Sequence, residues 1–347
     1  MAVKLIVGSD TGSNKPEKHA VQFAAQAYWH IRPTNYRVSV LKPKIDRLSI
    51  TLDIADTTIC KTIRQHLIDM ADAGNPLLTV WKKRKGWGSG KYDRSLALNV
   101  GDNRSIMVQC APIKSKVSFL RFEFNPTAVG LHGIAAFRSH LPKITSGALK
   151  YKMLAHSGKV TRLDIAVDLV NIDLEDVLIR TKKPGVTSGY FGLTGKAETK
   201  YLNVNKKGSN LYVYDRKTHL QKLKAQGIGS GSEYGQAKYT RVEVRTEPNV
   251  PITELSKLHN RLTKIELTDI EAAKPPEQEH HWKLFQDSCR YRGLAGALAL
   301  LPDKVRPDYE AAITSAGTGL WKSDLLLSFW PEVVNQSGLL PAAGGSD

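Results

Sequence analysis

The chain has 347 residues, with 50 Lys and Arg against 33 Asp and Glu, 3 cysteines and a 41% hydrophobic share. That apolar share supports buried cores over about two domains, while Cys60, Cys110 and Cys289, which lack any paired spacing, exclude a disulfide scaffold and a cysteine zinc site and fit a reducing cytosol. The longest apolar run, Gly293–Leu301, is far short of the ~18 residues of a membrane span, and Met1–Gly8 is too short for a signal-peptide core, so a soluble intracellular protein with no membrane partner is expected.

The net charge of +17 is unevenly placed: residues 251–347 hold 10 Lys and Arg and 13 Asp and Glu, leaving 40 against 20 in the first 250. A basic body of that size points to a polyanion partner. In chain order, a polar leader precedes a short helix predicted over Glu17–Trp29, which Pro33 ends. Period-two alternation then predicts strands at Leu48–Leu52, Leu96–Val100, Ile106–Val108, Phe119–Phe124, Leu163–Leu169, Tyr201–Val204, Leu211–Tyr214 and Arg241–Arg245. Helices are predicted between them at Ala55–Asp72, Ala128–His140, Leu174–Arg180 and Lys217–Lys224. After Pro248 and Pro251 the pattern turns helical, at Ile252–Leu262, Glu279–Leu300, Pro307–Ala316 and Leu320–Trp330. The fold class expected is α+β: a duplicated, largely antiparallel curved sheet backed by helices, followed by a helical C-terminal region.

Duplication shows as three matches in one order. Arg47–Asp53 echoes Arg162–Asp168; Leu98-Asn99-Val100 echoes Leu202-Asn203-Val204; Arg121–Phe124 echoes Arg241–Val244, each with a proline soon after. Alternate strand residues share a face. Leu163, Ile165, Val167 and Leu169 therefore point to a core and Arg162, Asp164, Ala166 and Asp168 to an open face. By the same rule Arg241, Glu243, Arg245, Tyr201, Tyr212 and Tyr214 lie on open faces. In this alignment Asp164 stands where the first copy has Ser49, and Tyr201 where it has Ala97, while Glu243 keeps its counterpart Glu123. The second copy is thus expected to carry chemistry and the first to serve as scaffold or DNA-binding surface.

Carboxylates with a tyrosine suit metal-assisted attack on a phosphodiester. Asp and Glu oxygens are hard ligands for Mg²⁺ or Mn²⁺, and a phenol of pKa about 10 needs activation to act as a nucleophile. The other role open to the same residues is an ion-pair network joining Asp164 to Arg241 and Glu243 to Arg162. Trp81–Lys91, containing Lys82, Lys83, Arg84, Lys85, Trp87 and Lys91, reads as a basic hairpin with two indoles, suited to phosphates and stacked bases. His280 and His281 are adjacent rather than spaced as metal ligands, and Gly86–Gly90 lacks the Lys-Ser/Thr of a nucleotide loop.

Thr161–Leu169, Thr199–Asp215, Tyr239–Arg245 and Phe119–Pro126, in that arrangement, resemble the replication initiation factor family, the rolling-circle initiators of filamentous phages and some Gram-positive plasmids. The similarity spans roughly residues 45–335. It implies origin binding, with the duplex locally melted at the nick, and metal-dependent nicking in the cytoplasm of a bacterial host. It further implies a 5′-phosphotyrosyl link and a 3′-hydroxyl primer, with host polymerase and helicase as partners. The family's nucleophile position matches Tyr201, with Tyr214 as second candidate. Asp164 and Glu243, with Asp168, carry over as metal ligands, and Arg162 and Arg241 are expected on the scissile phosphate. Asn203–Lys206 replaces the family's small Gly-Ser turn, and Arg216 follows Asp215. The organisation expected is an N-terminal extension (1–35), a duplicated nickase and DNA-binding domain (36–250) and a helical C-terminal region (251–347). A sequence-specific DNA-binding regulator without catalysis is the alternative function.

Overall fold

The computed structural model describes residues 25–81, 90–114, 117–181, 187–192, 195–202, 209–227, 234–235, 237–259, 261–276, 278–316 and 319–341. Lys82, Lys83, Arg84, Lys85 and Trp87 lie outside the described residues, whereas Lys91 is described and exposed. In chain order the elements are β1 (Gln26–Ile31), β2 (Arg37–Leu41), β3 (Lys44–Leu52), α1 (Thr57–Asp72), β4 (Leu78–Val80), β5 (Tyr92–Asn99), β6 (Ser105–Pro112), β7 (Leu120–Phe124), α2 (Pro126–Ile144) and α3 (Tyr151–Ser157). They continue with β8 (Lys159–Val170), β9 (Val177–Thr181), β10 (Thr187–Phe191), β11 (Ala197–Leu202), β12 (Ser209–Asp215), α4 (Arg216–Ala225), β13 (Tyr239–Thr246), β14 (Ile265–Asp269), α5 (Glu279–Leu298), α6 (Arg306–Ala316), α7 (Ser323–Ser328) and α8 (Trp330–Gln336).

One antiparallel sheet runs β10-β11-β12-β13-β8-β3-β7-β6-β5-β4, with the β1–β2 hairpin joined to the end of β8. Outward from the centre, β3-β7-β6-β5-β4 repeats as β8-β13-β12-β11-β10. The equivalent leucines Leu48 and Leu163 stand directly opposite each other across β3–β8, so a local two-fold axis passes between them. Asp46 and Thr161, also equivalent, are the unpaired residues of two bulges in this pairing. A bulge re-aims its side chain, which here turns Asp46 onto the polar face.

The register corrects the sequence alignment of the outer strands by two residues. Because Ile50 pairs with Phe122 and Ile165 with Val244, Glu123 is equivalent to Arg245 and Arg121 to Glu243. Continuing outward, Gln109 is equivalent to Tyr212, and Ser95 rather than Ala97 to Tyr201. A shift of two keeps every side chain on its face, so the open-face assignments stand while the pairings change.

The apolar face is covered by different material in each half. In the first, Leu48, Ile50, Phe122 and Phe124 pack under α2 and α3, with Phe137 5.3 Å from Phe122 and 5.8 Å from both Phe124 and Tyr151. In the second, Val167, Val242, Val244, Leu211 and Val213 pack with Val177, Ile265 and Leu267 of the β9–β14 ribbon and with Leu320 and Leu326. A third cluster, built on Trp282, Phe285, Tyr309 and Ile313, joins α5 and α6 to that ribbon.

The expected α+β class holds, with local corrections. Of the helix expected over Glu17–Trp29, residues 17–24 lie outside the described residues, and its end is strand instead: Gln26–Ile31, with the aromatic and β-branched run Tyr28-Trp29-His30-Ile31, pairs with β2. Residues 174–180 give one 3₁₀ turn and then β9, because Val177-Leu178-Ile179 finds a partner in β14. Where a helix was expected over Ile252–Leu262, 3₁₀ turns form at Ile252–Lys257 and Leu262–Lys264, and the last predicted helix gives α7 and then α8, with Pro331 in the first turn of α8. The C-terminal region is also bound into the body. Trp330, fully buried, donates its indole N–H to the Leu255 carbonyl (2.7 Å), and Tyr151 donates its hydroxyl to the Leu339 carbonyl (2.7 Å).

Candidate functional site

The polar face of the second half gathers the candidate residues because strand pairing lines them up in rows. One row reads Thr199, Tyr214, Arg241, Asp168 and the next Tyr201, Tyr212, Glu243, Ala166. Helix α4 starts immediately after β12, where the Asp215 carboxylate accepts from the Thr218 N–H (3.0 Å) and caps it. The turn lays His219 against the Tyr214 ring at 5.5 Å, and Tyr234 donates its hydroxyl to Asp168 at 2.9 Å, closing this end of the face.

Asp168 sits in the most enclosed part. Arg241 Nε and Nη2 donate to its two oxygens at 2.6 and 2.9 Å, and Lys44 Nζ lies 2.7 Å away. Burial pushes this carboxyl upward, but the Arg241 and Lys44 charges outweigh burial and hold it far below the carboxylate range. Arg241, 0% exposed, also donates Nη1 to Asp46 at 2.9 Å. Its guanidinium is wholly committed and is not placed to meet a phosphate. Asp164 is buried as well; it accepts from Arg162 Nε at 3.0 Å and Arg245 Nε at 3.1 Å. The ion-pair network therefore exists, with partners other than those the sequence suggested.

Glu243 is differently placed. Tyr214 donates its hydroxyl to Oε2 at 3.2 Å, and Arg245 Nη2 comes no nearer than 3.8 Å to Oε1. Burial, then the Asp164 and Asp46 charges, push this carboxyl up to about 7. Burial also raises the Tyr214 phenol well above its ordinary range. Tyr212 accepts from Arg245 Nη1 at 2.9 Å, under a guanidinium 4.8 Å from its ring centre. Tyr201, half-buried, stands edge-on to Tyr212 at 5.6 Å, and among the described residues its hydroxyl takes no hydrogen bond.

The structure thus brings Tyr201, Tyr214, Glu243 and Asp164 onto one face, but Asp164, Asp168 and Glu243 do not fit a divalent cation. Their oxygens point into arginines, a lysine and tyrosines, and among the described residues no three His, Cys, Asp or Glu side chains converge as ligands. Sequence reasoning missed Lys44, Asp46 and Tyr234. The bulge that turns Asp46 inward and the loop carrying Tyr234 have no period-two signal to betray them.

No family model matches this chain, and no curated protein matches it. Among solved structures, a rolling circle replication initiator protein from Geobacillus stearothermophilus matches at 14% identity, covering 72% of this chain and 97% of that one, with a TM-score of 0.35.

Proposed function

We propose that this chain initiates rolling-circle replication by binding its origin and nicking one strand through a tyrosine. The observation that carries this reading is the asymmetry between equivalent rows of the two halves. In the first, Gln109 donates to Ser95 at 2.8 Å and accepts from Arg121 at 2.7 Å, a closed polar chain. The same three positions in the second half are Tyr201, Tyr212 and Glu243. A purely structural duplicate has no use for two phenols beside a carboxyl that exchanges its proton near neutral pH. The order of sequence motifs and the basic body support the same reading.

In the chemistry proposed, the Tyr201 oxygen bonds to the scissile phosphorus as the bond from phosphorus to the 3′ oxygen breaks. The phenol proton ends on that oxygen, leaving a 5′-phosphotyrosyl link and a 3′-hydroxyl for host polymerase. Glu243, two strands along the row with Tyr212 between them, is the carboxyl proposed to take up the proton. No step is assigned to a metal; nicking in Mg²⁺, in Mn²⁺ and with chelator reads out that dependence. The test is a supercoiled plasmid bearing the replicon's own origin. Wild type should give nicked circles and a covalent adduct, and Tyr201→Phe should lose both while keeping origin binding. An adduct from Tyr201→Phe moves the nucleophile to Tyr214 or Tyr212. Commitment of Asp164 and Asp168 to ion pairs favours a second reading, a DNA-binding regulator without catalysis. Origin binding with no adduct from wild type would establish it.

A further inference from the structure

The two halves differ in the connection beside the tyrosine row. In the first, residues 113–119 join β6 to β7; in the second, residues 216–238 join β12 to β13 and begin with α4. This helix holds Arg216, Lys217, Lys222 and Lys224, contains no acid and buries no residue, so it is not there to fill a core. It runs outward over the polar face. His219 lies against Tyr214 on β12, and one turn later Lys222 Nζ lies 5.4 Å from the ring centre of Tyr190 on β10, the outermost strand. Residues three apart share a helix face, so one side of α4 reaches from β12 to β10.

Tyr190 extends the row. It pairs with Thr199, which pairs with Tyr214, so its side chain stands on the polar face with the other phenols. Tyr201, Tyr212 and Tyr214 are half-buried, whereas Tyr190 is 55% exposed. Glu198 is the extra residue of a bulge in the β10–β11 pairing, and its carboxylate accepts from Lys222. An ammonium has three N–H donors, and among the described residues Glu198 takes one of those of Lys222. The acids acting on Lys222 are Glu198 and Asp215, the latter engaged in capping α4. Lys196, on the same hairpin, is exposed and makes no ion pair among the described residues. Phe191, the next residue after Tyr190, pairs with Ala197 of the second core and so stands on the opposite face.

An exposed aromatic ring beside lysines can stack an unpaired base and meet the phosphate next to it. A duplex keeps its bases stacked on one another and presents the ring with no base face. A protein partner calls for a contiguous apolar patch, and on this face the exposed apolar group is one ring under a lysine. Tyr201 lies two residues along β11 from Thr199, so strand geometry puts the Cα atoms of Tyr190 and Tyr201 about 8 Å apart, within reach of neighbouring nucleotides of one strand.

We propose that Tyr190 and Lys222 form a platform for a single-stranded segment of DNA at the outer end of the tyrosine row. A base stacks on the ring face that Lys222 leaves open, and a neighbouring phosphate accepts from the N–H groups that Glu198 leaves. This rests on the DNA-binding part of the proposed function, but not on nicking.

The test uses the full chain, a short oligothymidylate and a duplex of the same length without origin sequence. Tyr190→Ala and Tyr190→Leu should each weaken oligothymidylate binding by at least about 5-fold, because both lose the ring and Leu keeps the apolar bulk. Tyr190→Trp should retain affinity, and Phe191→Ala should leave it unchanged. Lys222→Gln should lower the salt slope of oligothymidylate binding by about 0.7. Circular dichroism confirms folding, and if one of the Ala and Leu variants unfolds the other decides. Folded Ala or Leu variants that bind as tightly as wild type overturn the platform, as does an equal loss in Phe191→Ala. An equal loss on the duplex overturns the single-stranded ligand. Wild type that nicks its origin but ignores oligothymidylate overturns the platform and leaves the proposed function standing. If the expected results hold while the origin plasmid is never nicked, the nicking reading fails and the platform stands.

Discussion

Asp168→Asn separates the two roles open to the acids of the polar face. The substitution is isosteric but withdraws the charge that faces Arg241 at 2.6 Å and Lys44 at 2.7 Å. Arg241 has no exposed surface, so its charge would lose its closest carboxylate and keep Asp46 at 2.9 Å. Removing one partner of a buried pair costs about 3–5 kcal/mol. An unfolding entropy of about 2.1 cal/mol/K per residue over the chain is about 0.7 kcal/mol/K, so the melting temperature should fall by about 4–7 °C. The Asp168 carboxyl is held below its unfolded value, so its contribution is present at all pH values above the unfolded pKa of about 3.9. It is lost only as pH falls through the folded value. The deficit of Asp168→Asn should therefore be the same at pH 6 as at pH 8, as read by thermal melts followed by circular dichroism. A variant that melts within about 1 °C of wild type would refute the ion-pair account and free Asp168 to serve as a ligand.

Glu243→Gln should behave in the opposite way. The wild-type carboxyl is raised to about 7, so the folded state binds the extra proton, and wild-type stability should fall as pH rises from about 4.3 towards 7. The Gln variant should lack that slope and gain on wild type between pH 5 and pH 8, which melts at the two values would show; parallel pH profiles would refute it. Replacing Lys82, Lys83, Arg84 and Lys85 with Ala should flatten the salt dependence of DNA binding by roughly one logarithmic unit per lost phosphate contact. An unchanged slope in a binding titration would show that this stretch does not touch DNA. Trp330→Ala should destabilise the whole chain by about 3–5 kcal/mol, in one denaturant transition, because the indole is shared by α8 and the first-half core. Two separate transitions would mean that the C-terminal region folds by itself.

Period two was enough to place eight strands and to assign the site side chains that the sequence singled out to the correct face, since a strand has only two faces. It could not fix which residues stand opposite each other. Arg121-Phe122-Glu123-Phe124 and Arg241-Val242-Glu243-Val244 look alike, yet hydrogen bonding sets them two residues apart, and the partners of Asp164 change with that step. The duplication was legible because Arg47–Asp53 and Arg162–Asp168 lie on the central strands, where both halves share one environment. Leu174–Arg180 was misread because a short apolar run is helix or strand according to its partner, and β14 lies about ninety residues away. The ion pairs of Asp46 and Lys44 depend on a bulge, a single extra residue that leaves no mark on composition or periodicity.

The seam at Leu48 and Leu163 bears on how such a chain could arise and diversify. Two equivalent strands meet there antiparallel, as the edges of two identical copies would meet in a symmetric dimer. Joined in one polypeptide, the copies no longer need to be self-complementary. A serine on one side can face an arginine whose counterpart faces an aspartate, and an outer row can exchange glutamine and serine for two tyrosines without its mate following. Covalent fusion also removes the hazard of an unpaired central edge. Either half produced alone would expose β3 or β8 along most of its length and would be driven to re-form the seam with another copy of itself.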